Sequence, residues 1–275
     1  MEPQKYCSVL LFVYAVTTAC HADHRIGQSM AVAKAPELPA KTSAAPKTPY
    51  LKKTAYPTCL TDVRADLRTE VAGIDVSHWD GRINWQEVSS EGIRFVYIKA
   101  TEGLSFKDPS FDSNWEGVGK TSMYKGAYHY FLPGLTTARQ VTQAQNFIKA
   151  VRDLKEGDLP PMIDFEDDPA ITAEALQARL FAFIREIEAC FRVRPLIYTS
   201  KALYSKYLSW HNSFADYEVW IADYSYERPE LCDKKNMRIW QFTDRAKVKG
   251  ISQYVDMDIF YTTSEDLKKL IIKNK

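Results

Sequence analysis

From Val71 onward, short apolar runs alternate with stretches of helical periodicity. Residues 71–76 (Val-Ala-Gly-Ile-Asp-Val), 93–99 (Ile-Arg-Phe-Val-Tyr-Ile-Lys), 124–131, 162–165 and 196–199 read as strands. Between them, 85–91, 111–120, 136–154 and 172–191 read as helices. The last is the clearest, opening Thr172-Ala-Glu174-Ala and placing Leu176, Leu180, Phe183, Ile184 and Ile187 at helical spacing. After residue 199 the pattern changes: 218–222, 238–242 and 257–261 are strand-like with little helix between them. Strand–helix alternation implies parallel strands joined by right-handed crossovers. Eight strands fit an α/β barrel, irregular because its last three strands lack full helical crossovers.

The chain ahead of this pattern differs in kind. An apolar run over 7–19, too short to span a membrane comfortably, is followed by small residues up to Ala22, so residues 1–22 read as an export signal. Cleavage after Ala22 releases a soluble protein. Cleavage before Cys20 leaves a lipid-modified cysteine, although Thr17 stands where such sites usually prefer Leu. Pro36, Pro39, Pro46, Pro49 and Pro57, set among Ala, Lys and Thr, make 23–70 a Pro-rich tether that buries too little apolar surface to fold alone. The folded domain is expected over 71–275, roughly 205 residues around one core. The protein is therefore expected outside the cytoplasm, as a periplasmic, cell-envelope or secreted monomer. Membrane contact is expected only through the signal or a lipid on Cys20. Cys59, Cys190 and Cys232 remain, an odd number that leaves Cys190–Cys232 as the disulfide to test. No Cys/His spacing resembles a zinc site, and neither metal nor cofactor is expected.

A net charge of +1 gives no basic excess for nucleic acid. Aromatic residues make up 13 %, a share that suits stacking on sugar rings, although core packing accounts for most of it. The sharpest chemical signal is Pro161-Met-Ile-Asp164-Phe-Glu166. On a strand, residues i and i+2 share a face, with Cα atoms roughly 6.5–7 Å apart. Two close carboxylates do not both ionise easily, so one pKa rises and the pair divides acid and stabilising roles, the equipment of a glycosidase. The competing reading is a strand running out into a solvated acidic turn, since Asp167, Asp168 and Pro169 follow. In a barrel the carboxyl ends of the strands converge on one face. There the pattern places Asp75, Lys99 with Glu102, Tyr128, His129 and Tyr130, Asp164 with Glu166, Tyr198, Asp223 and Gln241, while Asp256 falls at the start of the eighth strand or in the loop before it. Several residues have a plainer alternative. Asp75 could salt-bridge Lys99, Asp223 could fix Tyr224 or an Arg, and His78 and His129 fit structural hydrogen bonding. Trp79, Trp85 and Trp115 read as core.

Gly73-Ile-Asp75-Val-Ser77-His-Trp79, Phe95-Val-Tyr-Ile-Lys99-Ala-Thr-Glu102-Gly103, Gly126-Ala-Tyr128-His-Tyr130-Phe131, Asp164-Phe-Glu166 and Trp220-Ile-Ala-Asp223-Tyr224 resemble the signature segments of glycoside hydrolase family 25, lysozymes of the N-acetylmuramidase type. The resemblance runs from Val71 to about Tyr261. It implies a flattened β/α barrel of five β/α units and three further strands. It also implies cleavage of the β-1,4 bond between N-acetylmuramic acid and N-acetylglucosamine in peptidoglycan glycan strands. By that resemblance Glu166 matches the general acid, Asp164 its partner carboxylate, and Asp75 and Asp223 the other acidic positions. Tyr128, Tyr130, Tyr198, Trp220 and Gln241 fall where the family lines its groove, and Asp256 is counted with them as a substrate contact. Asp258 departs from the pattern, standing where the family commonly has Asn.

Asp164 is expected to raise the pKa of Glu166. Asp164 itself either attacks the anomeric carbon or orients the 2-acetamido group of the substrate to attack in its place. The second is favoured because carboxylates on one strand are poorly placed on opposite faces of one ring. A water-mediated inverting route stays open. The competing functions are a non-catalytic glycan-binding barrel and an endo-chitinase-like hydrolase.

Overall fold

A computed structural model describes residues 57–63, 70–152, 154–235, 237–261 and 263–273. The export segment with Cys20 and most of the tether lie outside the described residues. Nine strands form one sheet: β1 (Val71–Val76), β2 (Phe95–Glu102), β3 (Phe106–Lys107), β4 (Tyr124–Tyr130), β5 (Met162–Phe165), β6 (Leu196–Ser200), β7 (Val219–Ala222), β8 (Ile239–Ala246) and β9 (Val255–Phe260). The helices are α1 (Trp85–Ser90), α2 (Phe111–Val118), α3 (Thr137–Ala150), α4 (Ala173–Phe191), α5 (Lys201–Leu203), extended by the π-turn Tyr204–Leu208, and α6 (Ser264–Leu270).

The pairing of β1 with β2 closes the sheet into an eight-strand barrel, and β3 lies outside the ring on the end of β2. Around the ring β1, β2, β4, β5, β6, β7 and β8 run parallel, β9 returns antiparallel between β8 and β1, and the outlying β3 pairs antiparallel with β2. The expected five β/α units and three further strands are present. The sequence pattern missed β3 and cut β8 short, because Asp244 and Arg245 at its polar end resemble loop.

Alternation along the strands divides the core in two. Ile74, Val76, Val96, Ile98, Ile163, Phe165, Ile197 and Ile221 face outward and pack with Leu180, Phe183 and Ile187 of α4 in the outer layer. Val71, Phe95, Tyr97, Met162, Leu196, Trp220, Ile239 and Phe260 fill the barrel interior. Gly73 and Gly126 make room for those rings: a Cβ would sit 2.2 Å from the Phe95 ring at Gly73 and 2.4 Å from the Tyr97 ring at Gly126. Burial of this apolar surface is the main stabilising contribution.

Two expectations change. Part of the stretch assigned to the tether packs on the barrel: Val63 is buried in the outer core, Leu60 lies against it, and the carbonyl of buried Pro57 accepts from Thr243 Oγ1. An apolar side chain in the outer core and a backbone contact to Thr243 on β8 tie this stretch to the barrel, so the packed domain extends upstream of Val71. Cys190 and Cys232 form no disulfide with each other.

Candidate active site

The inward-facing positions at the carboxyl ends of the strands form one polar layer over the aromatic interior. Asp75 comes from β1, Lys99 from β2, Tyr128 from β4, Asp164 from β5, Tyr198 from β6 and Gln241 from β8. Asp256 joins from β9 because an antiparallel strand presents its beginning where the parallel strands end; it lies opposite Asp75 in register. One layer down, Asp258 is fully buried and accepts from Trp220 Nε1 at 3.1 Å.

Hydrogen bonds tie the layer together. Gln241 Nε2 donates to Asp75 Oδ2 at 2.8 Å, while Tyr198 Oη and Tyr224 Oη donate to Gln241 Oε1 at 2.8 and 3.1 Å. Burial pushes the Asp75 carboxyl up to about 7; the Gln241 amide opposes that, and Asp80 and Glu166 add to it. Asp164 is buried and its Oδ1 has no hydrogen-bond partner among the described residues. Its carboxyl is pushed well above the usual range, first by burial and then by the charge of Glu166, with Lys99 opposing. Glu166 opens to solvent at the mouth but is enclosed on its other sides. That enclosure raises it, the Tyr198 hydroxyl opposes, and Asp167 adds to the rise. Burial is the largest cause at both carboxyls; the charge of Glu166 adds to the rise at Asp164, whereas the rise at Glu166 comes from enclosure and Asp167 and not from the expected Asp164. The turn that follows is held by Tyr130 Oη, which donates to Asp167 Oδ1 at 3.2 Å, and by Lys206 Nζ on Asp168 at 2.7 Å.

Several residues sit differently from expectation. Lys99 donates to Glu102 at 2.7 Å and so does not bridge Asp75. Trp220 is fully buried, edge-on beneath Tyr198 and Tyr97, so it supports the site from below and presents no surface to a groove. Asp223, at the end of β7, faces Lys201 at 3.6 Å and stands apart from the buried carboxylates. His129 is a structural residue: Thr101 Oγ1 lies 2.7 Å from Nδ1, its ring stacks on Phe183, and burial pushes its pKa down to about 3. Trp85 is buried, whereas Trp79 is exposed.

Asp80 was missed. It lies on the 3-10 turn His78–Asp80 after β1, where Ser77 N donates to its Oδ2 at 2.7 Å, and burial raises its pKa to about 6. The signal was present in Ser77-x-x-Asp80 followed by Gly81, a capping pattern that marks a tight turn at the strand end. Burial and then the charge of Asp75 also hold Asp256 and Asp258 well above the usual range. A layer of carboxyls whose pKa values are all raised, with one carboxyl at the mouth, is suited to delivering a proton to a bound oxygen. Among the described residues, no group of three His, Cys, Asp or Glu side chains is arranged to hold a metal ion.

Comparison with known proteins agrees with this geometry. The model of the family Glycosyl hydrolases family 25 matches residues 74–251. The Escherichia coli K12 protein YegX is 35% identical over 214 residues, covering 76% of this chain and 76% of its own. Lysozyme M1 of Streptomyces globisporus is 32% identical over 200 residues, covering 69% of this chain and 67% of its own. The solved structure of a family 25 glycosyl hydrolase from Bacillus anthracis superposes with a TM-score of 0.68 at 30% identity, covering 75% of this chain and 96% of that one.

Proposed function

This chain belongs to glycosyl hydrolases family 25 and is a glycoside hydrolase, and from that premise we propose that it is a peptidoglycan muramidase. The bond cut is the β-1,4 linkage between N-acetylmuramic acid and N-acetylglucosamine. The observation that carries the reading is the i, i+2 pair at the end of β5: Asp164 on the strand, buried and open on one oxygen, and solvent-facing Glu166 just past its last residue.

Glycoside cleavage needs a proton on the leaving oxygen and stabilisation of a cationic ring. Glu166 is the acid, since its carboxyl is at the mouth and its raised pKa keeps a proton available. Asp164, sharing its face, assists the 2-acetamido group of the muramic acid ring. Its unpartnered Oδ1 is free to accept the acetamido N–H. In the form of the pair that carries its one proton on Glu166, the Asp164 carboxylate also stabilises the oxazolinium-like charge. Asp75, held by Gln241, adds negative potential, while Tyr128, Tyr130 and Tyr198 border the sugar. Asp223 acts from the rim through Lys201, outside the proton-holding group. The apolar run over 7–19 fits the same reading, directing the enzyme out of the cytoplasm to its substrate.

Digestion of purified peptidoglycan beside chitin oligomers tests the assignment. Borohydride reduction of the products should yield muramitol ends from peptidoglycan, with chitin scarcely cleaved. Equal cleavage of chitin would make the chain an endo-chitinase-like hydrolase. Tight binding without any new reducing end would make it a glycan-binding barrel.

A further inference from the structure

The rim beside the carboxylates carries an aromatic surface that the reaction itself does not use. Trp79 is 68% exposed on the turn His78–Asp80. That turn is anchored: Trp79 N donates to Ser77 Oγ at 3.2 Å, His78 N donates to Asp108 Oδ2 at 3.1 Å, and the His78 ring Nδ1 lies 2.7 Å from the same oxygen. Asp108 is buried, donates its own N–H to Ala100 O at 2.9 Å and accepts from Ser110 N at 2.8 Å. A large apolar ring held in water on so fixed a backbone adds little to the fold, and exposed apolar patches of this kind mark binding surfaces.

Trp79 heads a continuous file of side chains. Its ring lies 4.5 Å from that of His78, and His78 lies 5.9 Å from Phe106, itself 41% exposed on β3. Lys99 Nζ then stands 5.9 Å from the Phe106 centroid and 4.8 Å from that of Tyr130, whose hydroxyl reaches Asp167 beside Glu166. The rings alternate with hydrogen-bonding groups on His78, Lys99 and Glu102. A protein helix would want an unbroken apolar groove, whereas a sugar chain presents apolar ring faces edged by hydroxyl and amide groups. The alternation matches the sugar chain.

We infer that Trp79 and Phe106 form a distal sugar-binding rim that holds the glycan strand beyond the scissile bond. The inference rests on the muramidase reading. Binding energy from such remote positions serves the transition state at the reacting bond, so the rim favours long strands over short fragments.

The test compares Trp79→Ala and Trp79→Phe with wild type on glycan strands stripped of stem peptides and on a tetrasaccharide fragment. The Ala variant should lose roughly 2- to 10-fold in kcat/KM on long strands, the size an aromatic contact supplies, and keep its rate on the tetrasaccharide. The Phe variant should retain most of the long-strand rate. Equal rates for wild type and Ala on long strands, or equal losses on both substrates, would overturn the rim. A loss confined to strands bearing stem peptides would also overturn it, since the occupant would then be peptide. Affinity for stripped strands, measured in a Glu166→Gln background with and without Trp79→Ala, reads the rim without turnover. A fall in affinity there supports the rim even if no substrate is cleaved, in which case only the muramidase reading fails; unchanged affinity overturns the rim. Loss of a dimer in sedimentation, with glycan affinity unchanged, would reassign the patch to self-association.

Discussion

Gln241 Nε2 donates to Asp75 Oδ2 at 2.8 Å, joining side chains 166 positions apart and locking β1 to β8 across the barrel mouth. The same amide receives Tyr198 and Tyr224 on its oxygen, so its orientation is set from three sides. It is the group that most opposes protonation of Asp75. Gln241→Leu should therefore raise the Asp75 pKa further, move the pH–rate profile upward and lower kcat/KM. A hydrogen bond to a charged group is worth about 1.5–3 kcal/mol, so the loss should be roughly 10- to 100-fold. A profile that keeps its position in the variant would separate Asp75 from turnover.

Asp75 also sets a stability dependence on pH. It binds its proton up to about 7 in the fold but only near 3.8, the ordinary value, when unfolded. Between those values the folded state holds the extra proton, so stability falls as pH rises through the window and Asp75 causes no further loss above it. Asp75→Asn should be more stable than wild type at pH 7, by at most about 4 kcal/mol at 1.36 kcal/mol per pKa unit, and the gain should vanish towards pH 4. Loss of the Gln241 contact reduces the gain. Melting temperatures across this range check it, and a gain that grows as pH falls would contradict the sign.

Glu166→Gln should remove turnover while leaving fold and glycan binding nearly intact. The change preserves shape and deletes the transferable proton, and acid catalysis of this kind contributes about 10²–10⁴-fold. Near-normal release of reducing ends by the variant would remove Glu166 from the acid role.

Truncation separates tether from domain. Starting the chain at Pro57 should preserve both activity and melting temperature. Starting it at Glu70 deletes Val63 from the outer core and the partner of Thr243, at a cost of about 1.5–3 kcal/mol for the buried side chain alone. Equal melting temperatures for the two truncations would mean that the 57–63 contacts contribute nothing.

Much of this arrangement is legible without coordinates. Period-two strands and the helical spacing of α4 set out the barrel, and Asp164-Phe-Glu166 shows by alternation alone that two carboxylates share a face with a core residue between them. Direction is harder to read. Whether β9 runs parallel or antiparallel decides that Asp256 reaches the site, and no local pattern encodes it. Depth is harder still: Trp79 and Trp220 look alike as residues, yet one stands in water on a capped turn and the other lies under Tyr198. Likewise Asp75 and Lys99 are both at strand ends, but Gln241 and Glu102 offer each a better-placed partner.

Asp164→Asn tests the division of labour within the pair. The two carboxyls sit close enough to titrate together, so on the proposed mechanism the active form is the pair carrying one proton, and a bell-shaped profile would report the pair and neither residue alone. Replacing Asp164 with Asn removes the negative charge that stabilises the developing cation and the repulsion that helps keep a proton on the pair. Turnover should fall nearly as far as in Glu166→Gln, and the residual activity should shift to more acid pH. If Asp164 orients the acetamido group, an oxazoline-like inhibitor should bind wild type well and the Asn variant poorly, and no glycosyl ester should accumulate. Mass spectrometry showing a sugar covalently attached to Asp164 would replace assistance by direct attack. The anomer released first, followed by NMR, decides the remaining branch. Retention is required by both double-displacement routes, whereas inversion would exclude both and leave an activated water as the nucleophile.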